Sequence, residues 1–296
     1  MKNILIKLGV VFFILLLIFS ISKNKLVIPK EVKKIEVENL VTIENKQGKK
    51  EIAMDDYLLG VVAGEMPVTF EIEALKAQVV AARTYVYSRD KKVDGTINTQ
   101  VYLNQETRNK NWGNQTYEYE QKIKKAIEDT KAEVITYEGK LISALFFSSS
   151  NGQTTNNEDY FDGVPVGYLR SVESIEDSQV NPNFIQETIK SDKEIMQAFQ
   201  IDNPTFSIDS FYENQSVKEI YIDGKLFSGR DVREKLQLPS NTFTIKKVSD
   251  GFCFTTTGYG HGVGMSQYGA QAMALQGDNY KKILKHYYQG IEIVKK

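Results

Sequence analysis

The chain has 296 residues, with 37 Lys plus Arg against 38 Asp plus Glu and a formal net charge of −1. That balance, with the basic residues scattered, gives no electrostatic case for a nucleic-acid partner. Cys253 is the only cysteine and His261 and His286 the only histidines, so an intrachain disulfide and a cysteine-based zinc site are excluded. The length allows one large domain or two small ones. The 16 Tyr and 15 Phe suit a β-containing core or a groove that stacks on sugars.

Leu8 to Ile21 is uncharged and almost wholly apolar. Ile4 to Ile21 reaches a spanning length when Lys7 extends to the interface. Ser20-Ile21-Ser22 is a poor version of a small-residue cleavage site, which favours an uncleaved anchor over a removable signal. Lys2 and Lys7 precede the span and Lys23, Lys25, Lys30, Lys33 and Lys34 follow it, a bias against an exported body. The body is nevertheless expected outside, because a short N-terminal anchor commonly translocates a large C-terminal domain. The expected division is an anchor and tether over 1–34 and one domain over 35–296.

Ile35 to Ile43 alternates as a strand does, and Asn45 to Gly48 turns it into a second near Glu51 to Ala53. Asp55 to Gly64 then reads as a helix capped by Asp55, with Tyr57, Leu58, Val61 and Val62 buried. Pro67 stops it. From Glu71 on, Ile72, Leu75, Val79, Ala82 and Val86 mark one face of a second amphipathic helix, and Lys76 and Arg83 share another face. Glu65 falls at the junction. The helix dipole and its neighbours Ala63, Met66 and Val68 would both raise its carboxyl pKa, as a general acid requires. A plain surface glutamate at a helix end fits the same spacing.

Lys91 to Asn114 reads as a long polar loop with a strand-like Gln100 to Leu103 inside it. Tyr117 to Thr130 is predicted helical with Ile123, Ala126 and Ile127 inward. Ala132 to Tyr137 and Lys140 to Phe147 form a hairpin about Glu138-Gly139. It leads to Ser148-Ser-Ser-Asn-Gly-Gln-Thr-Thr155, a hydroxyl and amide cluster that either binds a sugar or forms a turn. Tyr168 and Arg170 would share one face if on a strand.

In the middle segment the pattern gives strands at Phe184 to Ile189, Phe206 to Tyr212 and Val217 to Ile222, and a helix at Asp192 to Phe199. Asp223-Gly224 marks a hairpin, and Ser228-x-x-Asp231 opens a short helix ending near Leu238. Thr242 to Lys247 and Phe252 to Thr257 are strands. They lead into Gly258-Tyr-Gly-His-Gly-Val-Gly264, where four glycines in seven residues permit positive φ. Helices at Met265 to Leu275 and Lys281 to Gln289, and a strand at Ile291 to Val294, complete the chain. Ser266 near that glycine run suggests an esterase, but the nucleophile elbow G-x-S-x-G is absent. His286 reads as packed among Tyr287 and Tyr288.

Four blocks now carry a resemblance: Gly64-Glu-Met-Pro67; Glu73-Ala-Leu-Lys-Ala-Gln-Val-Val-Ala-Ala-Arg-Thr-Tyr85; Gly167-Tyr-Leu-Arg-Ser-Val172; and Gly258-Tyr-Gly-His-Gly-Val-Gly-Met-Ser-Gln-Tyr-Gly-Ala270. In this order they resemble the stage II sporulation protein D family, over about Ile35 to Val294. The resemblance implies a peptidoglycan lytic transglycosylase, anchored in the cell membrane with its catalytic domain on the extracytoplasmic side and acting on glycan strands during engulfment. The implied partners are a cell-wall amidase and membrane proteins of the engulfment machinery, stage II sporulation proteins P and M, with no nucleic acid.

By the same resemblance Glu65 is the catalytic residue, serving as acid and then as base. Lys76, Arg83, Ser149, Tyr168, Arg170, His261 and Gln267 become candidate substrate contacts. Lys76 and Arg83 equally fit helix-surface charges or a partner's docking face. Some members carry Cys and His in the loop matching Ser148 to Thr155, where zinc can be held; here Ser149, Ser150 and Gln153 occupy it, and neither a metal nor another cofactor is expected. The expected fold is α+β, mixed short sheets and helices forming a substrate groove, preceded by one N-terminal transmembrane helix. A non-catalytic glycan-binding or amidase-activating module is the alternative, since the domain also resembles amidase enhancers.

Overall fold

The computed structural model describes residues 39–46, 48–174 and 176–296. The anchor and tether expected over residues 1–34, and the start of the first strand, lie outside the described residues. Among the described residues no helix is long and apolar enough to cross a membrane. Residues 39–296 make one compact unit.

Strands β1 (Leu40–Asn45) and β2 (Gly48–Ala53) form an antiparallel hairpin, with Val41 and Ile43 turned inward. Helix α1 (Met54–Glu65) follows directly. Its N-cap is Ala53, so Asp55 is not the cap; it sits in the first turn, where it favours the helix dipole instead. Tyr57, Leu58, Val61 and Val62 are fully buried. Helix α2 (Ile72–Ser88) starts after the proline break and is the centre of the molecule. Ala74, Ala77, Ala81 and Ala82 are small enough for neighbours to approach on several sides, and twelve consecutive-turn positions from Ala74 to Val86 are buried almost all round. It ends near β3 (Lys92–Val93), which pairs parallel to β1.

Residues Gln100 to Leu103 are extended but pair with no strand; they lie on α1 instead. Helix α3 (Gln105–Trp112) follows inside the segment read as loop. Its sequence lacks an apolar face, and its one buried side chain is Arg108, which pairs with Glu120 at 2.9 Å. Tertiary pairing and the Asn104 cap, which accepts from Thr107 N–H at 2.8 Å, hold it where hydrophobic periodicity is silent. Helix α4 (Thr116–Asp129) buries Ile123, Ala126 and Ile127 as expected.

Strands β4 (Glu133–Tyr137) and β5 (Lys140–Leu141) make the hairpin, and it is shorter than read. Phe146 and Phe147 form a separate strand, β6 (Phe146–Phe147). Short helices α5 (Asn157–Phe161) and α6 (Asp177–Val180) flank the turn carrying Tyr168 and Arg170, which is not a strand.

The middle of the chain builds a second apolar cluster of its own, around Ile195, Phe199, Ile220, Val232, Leu236 and Phe254. Its elements are β7 (Ile185–Ser191), α7 (Asp192–Phe199), β8 (Phe206–Phe211), β9 (Val217–Ile222), β10 (Lys225–Ser228), α8 (Gly229–Leu236), β11 (Phe243–Val248) and β12 (Gly251–Thr257). The strands form two antiparallel sheets, ordered β11-β12-β7 and β10-β9-β8. Ser191 with Glu194, and Ser228 with Asp231, complete capping boxes at α7 and α8.

The chain then returns to the first core. Strand β13 (Met265–Ser266) pairs parallel with β6, α9 (Gln267–Leu275) and α10 (Tyr280–Tyr287) pack on α2, and β14 (Glu292–Lys295) adds to β4. The fold is mixed α+β with short sheets.

Candidate active site

Pro67 ends α1 at Glu65, and the chain turns before α2 begins. The carboxyl therefore sits at a helix C-terminus, half-buried, on a groove of about 660 Å³. Burial is the main cause that pushes its pKa up, to about 7; the Val101 backbone N–H, which donates to Oε1 at 2.5 Å, works in the other direction. Glu65 is the only carboxylate among the described residues lining the groove, beside two cations, Arg89 and Arg233.

The opposite wall is built by the glycine-rich loop. Gly258 has φ 75°, and a Cβ there would meet the Ser149 carbonyl at 2.7 Å, so the loop lies flush on the serine segment. Ser149 and Tyr259 exchange backbone hydrogen bonds of 3.0 and 2.7 Å. This brings Tyr259, Gly260 and His261 into the groove beside Phe146, Phe147 and Ser148.

His261 is packed among the rings of Phe147, Tyr160 and Phe161. Its Nδ1 accepts from Val263 N–H at 3.0 Å, and the ring also bonds the Phe146 backbone. Burial, assisted by the Arg233 charge, lowers its pKa to about 4. At neutral pH it is an uncharged wall residue, unsuited to proton transfer. Gln267 also lines the groove, its Nε2 3.4 Å from Gln78 Oε1.

Ser149 lies beneath the surface, 2 % exposed, with its hydroxyl on the Ser150 carbonyl. The Ser150 hydroxyl donates to the Ser174 carbonyl, and the Ser150 N–H to Asp177 at 2.6 Å. These hydroxyls are engaged in closing the loop, and among the described residues no group of three or more His, Cys, Asp or Glu could hold a metal ion. The loop's donor set, Ser149, Ser150 and Gln153, does not fit the zinc site of its Cys- and His-bearing counterparts.

Ser149 is absent from the groove lining, and so are four further candidate contacts. Lys76 pairs with Glu73 at 2.7 Å and Asp129 at 3.0 Å, tying α2 to the end of α4. Arg83 is 3 % exposed and donates to the Ile127 and Thr130 carbonyls where α4 ends and to the Glu133 carbonyl at the start of β4, so it ties these two elements to α2. Tyr168 packs on Tyr137 and accepts from Ser143 N–H at 3.1 Å. Arg170 forms a two-pronged ion pair with Glu158, at 2.9 and 2.5 Å. In this structure the charges and hydroxyls of these four are engaged within the protein.

The groove residues that sequence reading missed are Tyr85, Arg89, Asn98, Thr99, Val101 and Arg233. Tyr85 and Arg89 are four apart, about one turn, at the end of α2 and its C-cap, so a helical wheel of α2 could have paired them. Arg233 arrives from α8 in the second cluster, and no local pattern points to it.

The structure is thus a mixed α+β body with one half-buried carboxyl in a groove walled by aromatics and two arginines. Residues 44–137 match the family model described as stage II sporulation protein (SpoIID). The stage II sporulation protein D of Bacillus amyloliquefaciens is 41% identical over 257 residues, covering 82% of this chain and 74% of that protein. That of Bacillus subtilis (strain 168) is 38% identical over 265 residues, covering 83% and 76%. The amidase enhancer of the same organism is 30% identical over 295 residues, covering 79% of this chain and 39% of its own length. The chain belongs to the stage II sporulation protein D family.

Proposed function

We propose that this protein is a peptidoglycan lytic transglycosylase that cleaves MurNAc–GlcNAc bonds, with Glu65 as its single acid and base. The observation that carries the reading is the carboxyl that stands alone among the described residues of the groove, held at a pKa of about 7. Ordinary glycosidases use two carboxyl groups, one to protonate the leaving oxygen and one to activate water or form a covalent intermediate. A lytic reaction needs one. Protonated Glu65 gives its proton to the glycosidic oxygen as the C1–O bond breaks. The C6 hydroxyl of the same MurNAc then attacks C1, and the Glu65 carboxylate recovers the hydroxyl proton. A 1,6-anhydro ring forms, no water is consumed, and the enzyme ends as it began.

A pKa near 7 keeps comparable fractions of both forms at neutral pH, which suits a group that must give and take. In this reading the body works outside the cell membrane on glycan strands, alongside a cell-wall amidase and stage II sporulation proteins P and M. Mass spectrometry of products from purified glycan strands tests it. Wild type should release 1,6-anhydro-ended glycans and Glu65→Gln should release none; anhydro ends from the Glu65→Gln protein at wild-type rates would overturn the assignment.

The relation to an amidase enhancer favours one second reading, a glycan-binding module that activates an amidase. It predicts amidase stimulation that survives Glu65→Gln, with no anhydro product from either protein.

A further inference from the structure

We infer that the extended segment Gln100 to Leu103 is a positioning element for Glu65, seated on α1 by Gly60 and Gly64 so that the Val101 backbone N–H fixes one carboxyl oxygen and leaves the other for proton transfer. This rests on the proposed role of Glu65. The seating is close. A Cβ on Gly64 would lie 2.7 Å from the Val101 carbonyl, and one on Gly60 would lie 2.2 Å from the Tyr102 ring and 2.8 Å from the Leu103 carbonyl. Real Cβ atoms do not approach so near, so only glycine at these two positions lets the segment lie flat on the helix.

Each residue of the segment is tied to α1. Gln100 Oε1 accepts from the Tyr57 hydroxyl at 2.7 Å, Val101 N–H donates to Glu65 Oε1, Tyr102 stacks on Tyr57, and Leu103 N–H donates to the Gly60 carbonyl at 3.0 Å. Tyr57, Gly60 and Gly64 fall three and four apart, which puts them on one helix face. Tyr102 N–H bonds the Gly95 carbonyl at 3.1 Å and holds the far side.

The consequence for Glu65 is specific. Oε1 is occupied by the amide, while Oε2 has no hydrogen-bond partner among the described residues and belongs to a side chain that lines the groove. A carboxyl with one oxygen pinned presents its proton in one direction, which is what reaction at a fixed glycosidic oxygen needs. The same N–H favours the charged form and so opposes burial, keeping the pKa from climbing further. The other titratable or charged groups facing this region are Asp56 and Tyr57 from α1, Tyr85 and Arg89 from α2 and its cap, Asp94 before the segment, Tyr102 within it, Arg108 from α3, whose guanidinium donates to the Leu103 carbonyl at 2.7 Å, and Arg233, Tyr259 and His261 across the groove. Burial holds Tyr57 and Tyr85 in the neutral form, and His261 is neutral at the pH of interest.

The test removes one hydrogen-bond donor; the ester also weakens the Gln100 carbonyl as an acceptor, an effect the matched control shares. Full-length protein is made with 2-hydroxy-3-methylbutanoic acid in place of Val101, which turns that N–H into an ester oxygen. The same hydroxy acid at Val217, whose N–H donates to the Asn241 carbonyl in the second cluster, is the matched control. Two readouts are taken: the titration midpoint of the Glu65 carboxyl by carbon-13 NMR, assigned with Glu65→Gln, and the high-pH limb of kcat/KM for anhydro-ended glycan release. With the ester at 101 the midpoint should rise by about one pH unit or more, and the activity limb should move up with it, whereas the ester at 217 should move neither.

Gly64→Ala reaches the same hydrogen bond by displacing the Val101 carbonyl and should shift the midpoint in the same direction. It carries the test alone if the ester at 101 does not fold. An unmoved midpoint in the folded variant overturns the inference, whatever happens to the rate. A moved midpoint with no anhydro product from any protein, wild type included, upholds the positioning and overturns the transglycosylase reading instead.

Discussion

Asp177 accepts the Ser266 hydroxyl in a place where water does not reach, both residues being 0 % exposed. The same carboxyl accepts from the Ser174 hydroxyl and the Ser150 N–H, each at 2.6 Å, and burial still holds its pKa above the ordinary range. It thereby joins the serine loop to the start of α9, two pieces that flank the groove.

The first prediction concerns Ser266. Its Oγ donates to Asp177 and accepts from Gly269 N–H at 3.1 Å as the cap of α9. No histidine stands ready to take its proton, so it is a structural hydroxyl. An organophosphonate should leave the intact mass of the protein unchanged. Ser266→Ala should lower stability by about 1–2 kcal/mol, the usual cost of a lost cap, seen as a lower urea midpoint.

Glu65 makes a second prediction, on stability and pH. Its folded pKa, about 7, lies above the ordinary 4.5, so the folded state binds the extra proton between those values. Stability is then greatest below about 4.5 and is lost as pH rises through about 7, the reverse of a salt-bridged carboxylate. Glu65→Gln removes this loss. The variant should match wild type at low pH and exceed it at pH 8 by on the order of 2 kcal/mol, allowing for water in the groove. Urea unfolding at a series of pH values reads the difference; a gap independent of pH would contradict the raised pKa. Cleavage should decline through the same range, since bond breaking begins from the protonated acid.

Arg83 and Lys76 furnish a third prediction, in which the larger effect falls on the residue farther from solvent. Arg83→Ala removes a buried donor from the Ile127 and Thr130 carbonyls at the end of α4 and from the Glu133 carbonyl of β4, and should cost about 2–3 kcal/mol. Lys76→Ala breaks a partly exposed pair network and should cost about 0.5–1 kcal/mol. In folded Lys76→Ala protein, the KM for glycan strands should stay near wild type. A large rise in KM at unchanged stability would return Lys76 to the substrate.

These residues mark where the sequence was readable. The three- and four-residue spacing of Ile72, Leu75, Val79, Ala82 and Val86 gave the central helix because burial on a helix leaves that period in the chain. Ser228 and Asp231 gave a cap because the capping box is local. Placing Lys76 and Arg83 on one face was also correct geometry. What spacing could not give was the partner across that face, since Asp129 and the Thr130 carbonyl are distant in the chain. Helix α3 was hidden because it is held by a buried arginine pair and a cap, with no apolar stripe. The Val101 donor was hidden for a plainer reason: a backbone N–H is the same in every residue but proline.

The last prediction follows from charge left over. Among the described residues Arg89 and Arg233 are the groove's cations, and neither forms an ion pair with a carboxylate. Arg89 lies over the Tyr85 ring at 5.1 Å, and Arg233 is aimed by the Tyr160 hydroxyl and the Pro239 carbonyl. Two oriented guanidinium groups with no internal counter-charge suit a polyanionic ligand such as a glycan strand bearing lactyl carboxylates. Arg89→Gln and Arg233→Gln should each raise the KM for such strands by about tenfold, on the order of one charge-assisted hydrogen bond, with a smaller effect on kcat. The wild-type KM should rise with salt, and the double variant should lose most of that dependence. Reducing the lactyl carboxyl to an alcohol in the substrate supplies the reciprocal measurement: wild type should bind the reduced strand as weakly as the double variant binds the native one. If the double variant instead distinguishes native from reduced strands as strongly as wild type does, the carboxylates are met elsewhere and these arginines only shape the wall.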